Sequence, residues 1–157
     1  MSLRSPLRSV VAGAAGTTTM TLAYALERRL RSSHRGPLDY DDSLVPGRIV
    51  ASVMHLPGVA DRRDRELGLA LRWSYGSAFG LMHGILRRRM REPVASVVFG
   101  GMLMSATLTL FPLLGRTPPP WRWGAAMLAT SFGTHVAYVT GVGVSDDVVL
   151  RRLLPAG

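Results

Sequence analysis

The chain contains no cysteine and no lysine, and few of its 157 residues carry a charge. The absence of cysteine excludes disulfide scaffolds, thiolate metal sites and cysteine nucleophiles. Charged residues make up 18 %, below the roughly 25 % that is usual in soluble domains. Hydrophobic residues make up 47 % and the mean hydropathy is positive, so the composition also excludes intrinsic disorder. The length suits a single domain.

Charge is missing above all from four long windows of the chain. Residues 9–26 and 93–115 are uncharged, residues 124–145 contain only His135, and residues 67–86 contain Arg72 and His83. A helix that crosses a bilayer needs about 20 apolar residues. Two of the windows also lack the polar stripe that is typical of helices in soluble proteins. We therefore predict an all-α polytopic membrane protein, one domain over residues 1–157 with these four windows as transmembrane helices. The alternative is a soluble protein with buried core helices.

The connector at residues 27–66 is the only long one. Pro46 and Pro57 bound a short predicted helix at about residues 46–56. Its broad apolar face predicts a position at the membrane interface or packing against the helix bundle. The first window also resembles a secretory signal with a cleavage site at residues 23–25. Its long apolar stretch, followed at once by an arginine-rich segment, favours a retained helix.

The 19 basic residues are all arginines and outnumber the 10 acidic ones. They flank the apolar windows, which favours contacts with lipid headgroups over binding to nucleic acid. The densest cluster lies in the turn at residues 87–91. This cluster predicts a cytoplasmic turn with both chain termini on the same side, although the total arginine counts of the two sides do not differ enough to decide the orientation.

The windows resemble one another in pairs, which indicates a duplicated helical hairpin; chance similarity between short apolar helices is the alternative. Gly13 aligns with Gly101, and Gly84 with Gly141. Small residues four positions apart let helix backbones approach closely in a membrane. The small residues that we predict to pack helices are Gly13, Thr17, Thr21, Gly76, Gly80, Gly84, Gly101, Ser105, Thr109, Gly133, Ala137 and Gly141.

Two short motifs carry a family resemblance. The first window contains A-G-x-x-G-T-T from Ala12, and the second contains Y-G-x-x-F-G-x-x-x-G from Tyr75. With the four-span plan, these motifs resemble small bacterial inner-membrane proteins of the YagU-like kind. The resemblance implies a multi-pass protein of the bacterial inner membrane with no assigned activity and at most a loose association with acid tolerance. Such relatives often have a histidine near the start of the second span, where this chain has Arg72.

Three polar side chains inside the windows are functional candidates, because ionisable groups are costly within a bilayer. Arg72 is predicted to extend to the interface beside Trp73, with a substrate or headgroup site as the alternative. His83 is predicted near the interface. His135 is central, and we expect a neutral imidazole bonded to a threonine or a carbonyl, with a proton-linked site as the alternative.

No carboxylate lies inside a window, and neither G-x-S-x-G nor a phosphate-binding loop is present. We predict no enzyme activity, no cofactor and no metal site. The expected function is association in the bilayer with a second copy or a larger membrane protein. The alternative is a small oligomeric transporter or channel, with proton coupling as one form of it.

Overall fold

The computed structural model describes residues 4–30, 45, 49–50, 53–54, 62–115 and 117–150. These residues form four α-helices and no strand, so the predicted all-α class is confirmed. Each helix matches one predicted window to within a few residues at its ends. The helices are α1 (Arg4–Leu30), α2 (Arg62–Leu86), α3 (Val94–Leu114) and α4 (Ala125–Val144). A 3-10 turn, Pro120–Arg122, precedes α4, and a π-helical segment, Ser145–Leu150, continues it.

Most of the short helix predicted at residues 46–56 lies outside the described residues. Of those described, Ile49, Val50 and Val53 are helical, and the Met54 N–H donates to the Val50 carbonyl over 2.9 Å. Ile49 and Val50 are half-buried, so this part of the connector packs on the bundle.

Helix α1 is the central helix and packs against both α2 and α4. Two of its glycines make this possible. A Cβ added at Gly13 would lie 2.8 Å from the Gly76 carbonyl oxygen of α2, and one at Gly16 would lie 2.8 Å from the Tyr138 carbonyl oxygen of α4. These distances are too short for a side chain, so each glycine allows one neighbouring backbone to approach.

The predicted glycine row of α2 faces α1. Added Cβ atoms at Gly76, Gly80 and Gly84 would meet, in turn, Thr17, the backbone of Gly13, and Ser9. The structure therefore brings the predicted small residues of α1 and α2 together. The opposite order along the two helices shows that they are antiparallel.

The matching rows of α3 and α4 lie differently. Ser105 and Thr109 are exposed, and added Cβ atoms at Gly101 and Gly133 would meet nothing within 4 Å. Gly141, however, packs on Gly16 of α1, and an added Cβ would lie 3.0 Å from the Gly16 Cα.

The two halves of the predicted duplication are thus not packed alike. Helix α1 covers the row of α2, whereas no described helix covers Gly101 of α3, so packing of a helix on the α3 row stays a prediction. Ala137 of α4 contacts α1 through its carbonyl, which accepts a 2.8 Å hydrogen bond from Thr19.

Helix α3 instead contributes large apolar side chains to the core. Phe99 and Leu103 pack with Tyr138, Val139 and Val142 of α4. The ring centres of Phe99 and Tyr138 are 6.0 Å apart.

Among the described helices, α3 is the one that is long and apolar enough to cross a membrane by length and composition, with a mean hydropathy of 1.9. Buried core helices meet the same test, but only 17 % of this helix is buried. The glycine, serine and threonine residues of α1 and α4, and the charges of α2, lower the hydropathy of the other three helices. Four spans therefore stay a prediction.

Candidate functional site

A partly open cavity of about 230 Å³ lies among the four helices and the connector. The surface of its wall is mostly hydrocarbon, because the polar side chains that line it expose little of their polar groups to the cavity. The apolar and aromatic lining residues are Met20, Tyr24, Ile49, Val50, Tyr75, Phe79, Leu103, Ala106, Leu110 and Phe111. The other lining residues are Thr17, Arg72, Gly76, Thr107, His135 and Tyr138. Two of the three predicted polar candidates thus meet at one cavity.

Arg72 enters the cavity from α2. It precedes Gly76 by four residues and so continues the row of α2 that faces α1. The residue is only 5 % exposed, and its Cζ lies 4.8 Å from the centre of the Tyr24 ring. Its Nη2 atom is buried and has no hydrogen-bond partner among the described residues. The prediction that Arg72 extends to the interface is therefore wrong: Trp73, about 100° further round the helix, is exposed, and Arg72 is inside.

His135 of α4 is bonded on both sides of its ring. Its Nδ1 lies 2.7 Å from the Ser131 carbonyl oxygen and must donate there, because a carbonyl only accepts. Its Nε2 lies 2.9 Å from the Thr107 hydroxyl of α3. In the neutral ring this nitrogen accepts a hydrogen bond from the threonine hydroxyl. The expected threonine and carbonyl partners are both present.

Thr17 and Tyr138, two further polar residues of the cavity wall, also form hydrogen bonds within the bundle. The Thr17 hydroxyl donates to the Gly13 carbonyl over 3.0 Å, in its own helix, and Tyr138 donates to the Gly76 carbonyl over 2.5 Å. One turn further along α1, the Thr21 hydroxyl donates to the Thr17 carbonyl over 2.7 Å. Arg72 differs from these groups, because its buried Nη2 is left without such a bond.

A second polar site lies at the end of the bundle that is remote from Arg72. Arg8 Nε of α1 donates to Asp146 Oδ1 over 2.6 Å, and its Nη2 donates to the Asp146 carbonyl over 2.9 Å. Arg87 Nη2 of α2 donates to Asp147 Oδ1 over 2.9 Å, and its Nε lies 3.6 Å from Glu92 Oε1 and from Asp146 Oδ2. This ion-pair cluster joins the beginning of α1, the α2–α3 turn and the end of α4.

His83 belongs to the ion-pair cluster and is 1 % exposed. Its Nε2 lies 2.9 Å from Glu92 Oε1 and 3.4 Å from the Ser96 hydroxyl, while the Ser96 N–H donates to Glu92 Oε2 over 3.2 Å. His83 therefore lies inside the end of the bundle, where it holds the turn against α2. Among the described residues, no three His, Asp or Glu side chains are placed to hold a metal ion.

Sequence reasoning missed the ion-pair cluster and the neighbours of Arg72. Arg8 lies just before the first apolar window, and Asp146 lies just after the fourth. In antiparallel helices these positions meet, so their opposite charges were a usable signal. The position of Arg72 on the glycine row was a second one.

No family model, curated protein or solved structure matches the chain. The resemblance to YagU-like proteins therefore stays a prediction.

Proposed function

We propose that the protein is an integral membrane protein with four spans that acts by association in the bilayer with a second copy or a larger membrane protein, without catalysis. The observation that carries the proposal is the distribution of side chains. Apolar residues cover the outside of the bundle, and polar residues fill much of its inside.

Every helix has large apolar side chains on its outer surface. Leu22 of α1 is 64 % exposed, Ile85 of α2 59 %, Val97 of α3 70 % and Phe132 of α4 61 %. Among the described residues, 24 large apolar side chains are exposed in total. Large exposed apolar patches mark sites of contact with proteins or membranes. In a bilayer the same surface contacts lipid chains at no cost.

The buried residues include an unusual share of polar ones. The buried polar and charged residues are Ser9, Thr17, Arg72, His83, Thr107, Ser131, Thr134 and Asp146. The Thr17 and Thr134 hydroxyls donate to carbonyls of their own helices, and the Thr107 hydroxyl bonds to His135 across α3 and α4. The buried Ser131 hydroxyl has no partner among the described residues. Interhelical hydrogen bonds and small residues are what hold helices together where lipid provides no hydrophobic drive.

The outer face of α3 supports association with another helix. Gly101, Ser105 and Thr109 form a small-residue row on the most apolar helix, and no described residue covers Gly101. The Thr109 hydroxyl donates to the Ser105 carbonyl over 2.8 Å, so the row has no unsatisfied hydroxyl there. Such a surface lets a second helix backbone approach closely.

Cross-linking tests the association. Because the chain has no cysteine, Ser105→Cys introduces a single thiol on the row. In oxidised membranes we expect a disulfide-linked dimer, or a link to a larger protein if the partner is different. Adding Gly101→Leu should abolish the product, whereas Met102→Leu, an exposed position off the row, should not. Equal cross-linking from Phe132→Cys on α4 would contradict a role for the row.

The ion-pair cluster supports the orientation we propose, with both termini and the arginine-rich turn at residues 87–91 on one side. Arginine clusters in short loops favour the cytoplasmic side. We therefore expect activity from a reporter enzyme that works only in the cytoplasm when it is fused at Gly157. Activity of an exterior-only reporter at the same position would contradict this orientation.

A second candidate function is a small transporter or channel, proton-linked through His135. The observation that favours it is that His135 and Thr17 line the cavity. A transporter or channel, unlike a protein that acts by association alone, would carry ions across the membrane of reconstituted vesicles, and a flux assay distinguishes the two.

A further inference from the structure

We propose that the cavity beside Arg72 binds an aliphatic monocarboxylate of medium chain length. The carboxylate lies against the guanidinium, and the alkyl chain lies along the hydrocarbon wall. This proposal goes beyond association in the bilayer and does not depend on it.

The first step of the argument is the charge of Arg72. An arginine stays protonated in proteins, and a buried charge is costly unless it is paired. The Tyr24 ring, 4.8 Å from Cζ, provides a cation–π contact but no negative charge. Among the described residues Arg72 forms no ion pair, and its buried Nη2 has no acceptor. An anion in the cavity would supply the negative charge that Arg72 lacks.

The second step is the chemistry of the remaining wall. The Thr17, Thr107 and Tyr138 hydroxyls and both His135 nitrogens already have partners. What is left beside Arg72 is mainly carbon, from residues such as Phe79. A ligand that suits this wall has one anionic group and an otherwise apolar body. A carboxylate suits the guanidinium, because hydrogen bonds between two charged groups are stronger than those between neutral ones.

The third step is size. About 230 Å³ exceeds the ~150 Å³ cavity that is known to hold a benzene ring. It does not accommodate the two chains and headgroup of a phospholipid. A single short alkyl chain with a carboxylate fits both the volume and the partly open side of the cavity.

The test compares decanoate with decan-1-ol, which has the same chain without the charge. Binding to the full chain is measured by native mass spectrometry from a neutral detergent, at a pH where a free carboxylate is ionised. We expect one decanoate per chain, bound about tenfold or more tightly than decanol, which corresponds to ~1.4 kcal/mol. Equal binding of the two probes by the parent chain would overturn the proposal.

Three variants locate the site. Arg72→Gln should remove the preference for decanoate, while Arg88→Gln, which removes the same charge from an exposed position in the turn, should keep it. Ala106→Phe fills the cavity without changing Arg72 and should weaken both probes. Retention of the preference in folded Arg72→Gln, or unchanged binding in Ala106→Phe, would overturn the proposal. If Arg72→Gln does not fold, the probe comparison in the parent chain and the Ala106→Phe result decide.

Discussion

The contact between α1 and α2 can be tested with a single methyl group. In Gly80→Ala the new Cβ would lie 2.7 Å from the Gly13 nitrogen and 2.8 Å from the Gly13 Cα, and it would also meet the Ser9 carbonyl oxygen. All three atoms belong to the backbone of α1, so no side chain can rotate away. The two backbones must therefore move apart by about 1 Å at this point.

Overpacking of this kind costs about 2 kcal/mol. The helix propensity of alanine offsets about 0.8 kcal/mol of this cost, because glycine is the poorer helix former. We therefore expect a net loss of about 1 kcal/mol in the free energy of unfolding and a fall in the unfolding temperature of about 2–4 °C. The measurement is helicity against temperature in a mild detergent.

Gly133→Ala is the matched control. It makes the same substitution in a helix, but the added Cβ meets nothing within 4 Å. Only the propensity gain remains, so this variant should be more stable than the parent chain by about 0.8 kcal/mol. The two variants should therefore shift the unfolding temperature in opposite directions. Shifts of the same sign and size would refute the close approach of α1 and α2.

Three further predictions concern polar groups. Asp146→Asn should lower the free energy of unfolding by about 3 kcal/mol, because it leaves Arg8 unpaired at a buried site. Asp147→Asn changes a more exposed carboxylate and should cost less than about 1 kcal/mol. Equal costs in thermal unfolding would contradict the burial argument. Tyr138→Phe should cost about 1 kcal/mol in the same assay, since it removes a buried hydrogen bond to the α2 backbone. His135→Gln should leave the fold and vesicle proton permeability unchanged; a pH-driven flux that this variant abolishes would favour the transporter.

The four helices could be predicted because their signal is local. Long uncharged windows bounded by arginine give each helix without knowledge of its neighbours, and the structure moves their ends by only a few residues. The glycine row of α2 was also accessible, because three small residues at helical spacing mark a face that permits close contact. Gly76, Gly80 and Gly84 lie on that face.

Which face meets which helix could not be read from the same pattern. Gly101 has the spacing of a packing residue but lies in the open, because the glycines of α1 pack against α2 and α4 and not against α3. The inward position of Arg72 follows from the rotation of α2, which the contact with α1 determines. The cavity depends on side chains from all four helices, so no single window predicts it.

The two glycines of α1 also bear on the order in which the bundle forms during synthesis. Gly13 meets α2 early, but the partner of Gly16 is Gly141, which is made only after α2 and α3. Until α4 emerges, one face of α1 and the Arg8 charge have no partner in the bundle. Before α4 leaves the ribosome, the nascent chain is therefore an open three-helix intermediate, and the pairing of Arg8 with Asp146 closes the bundle.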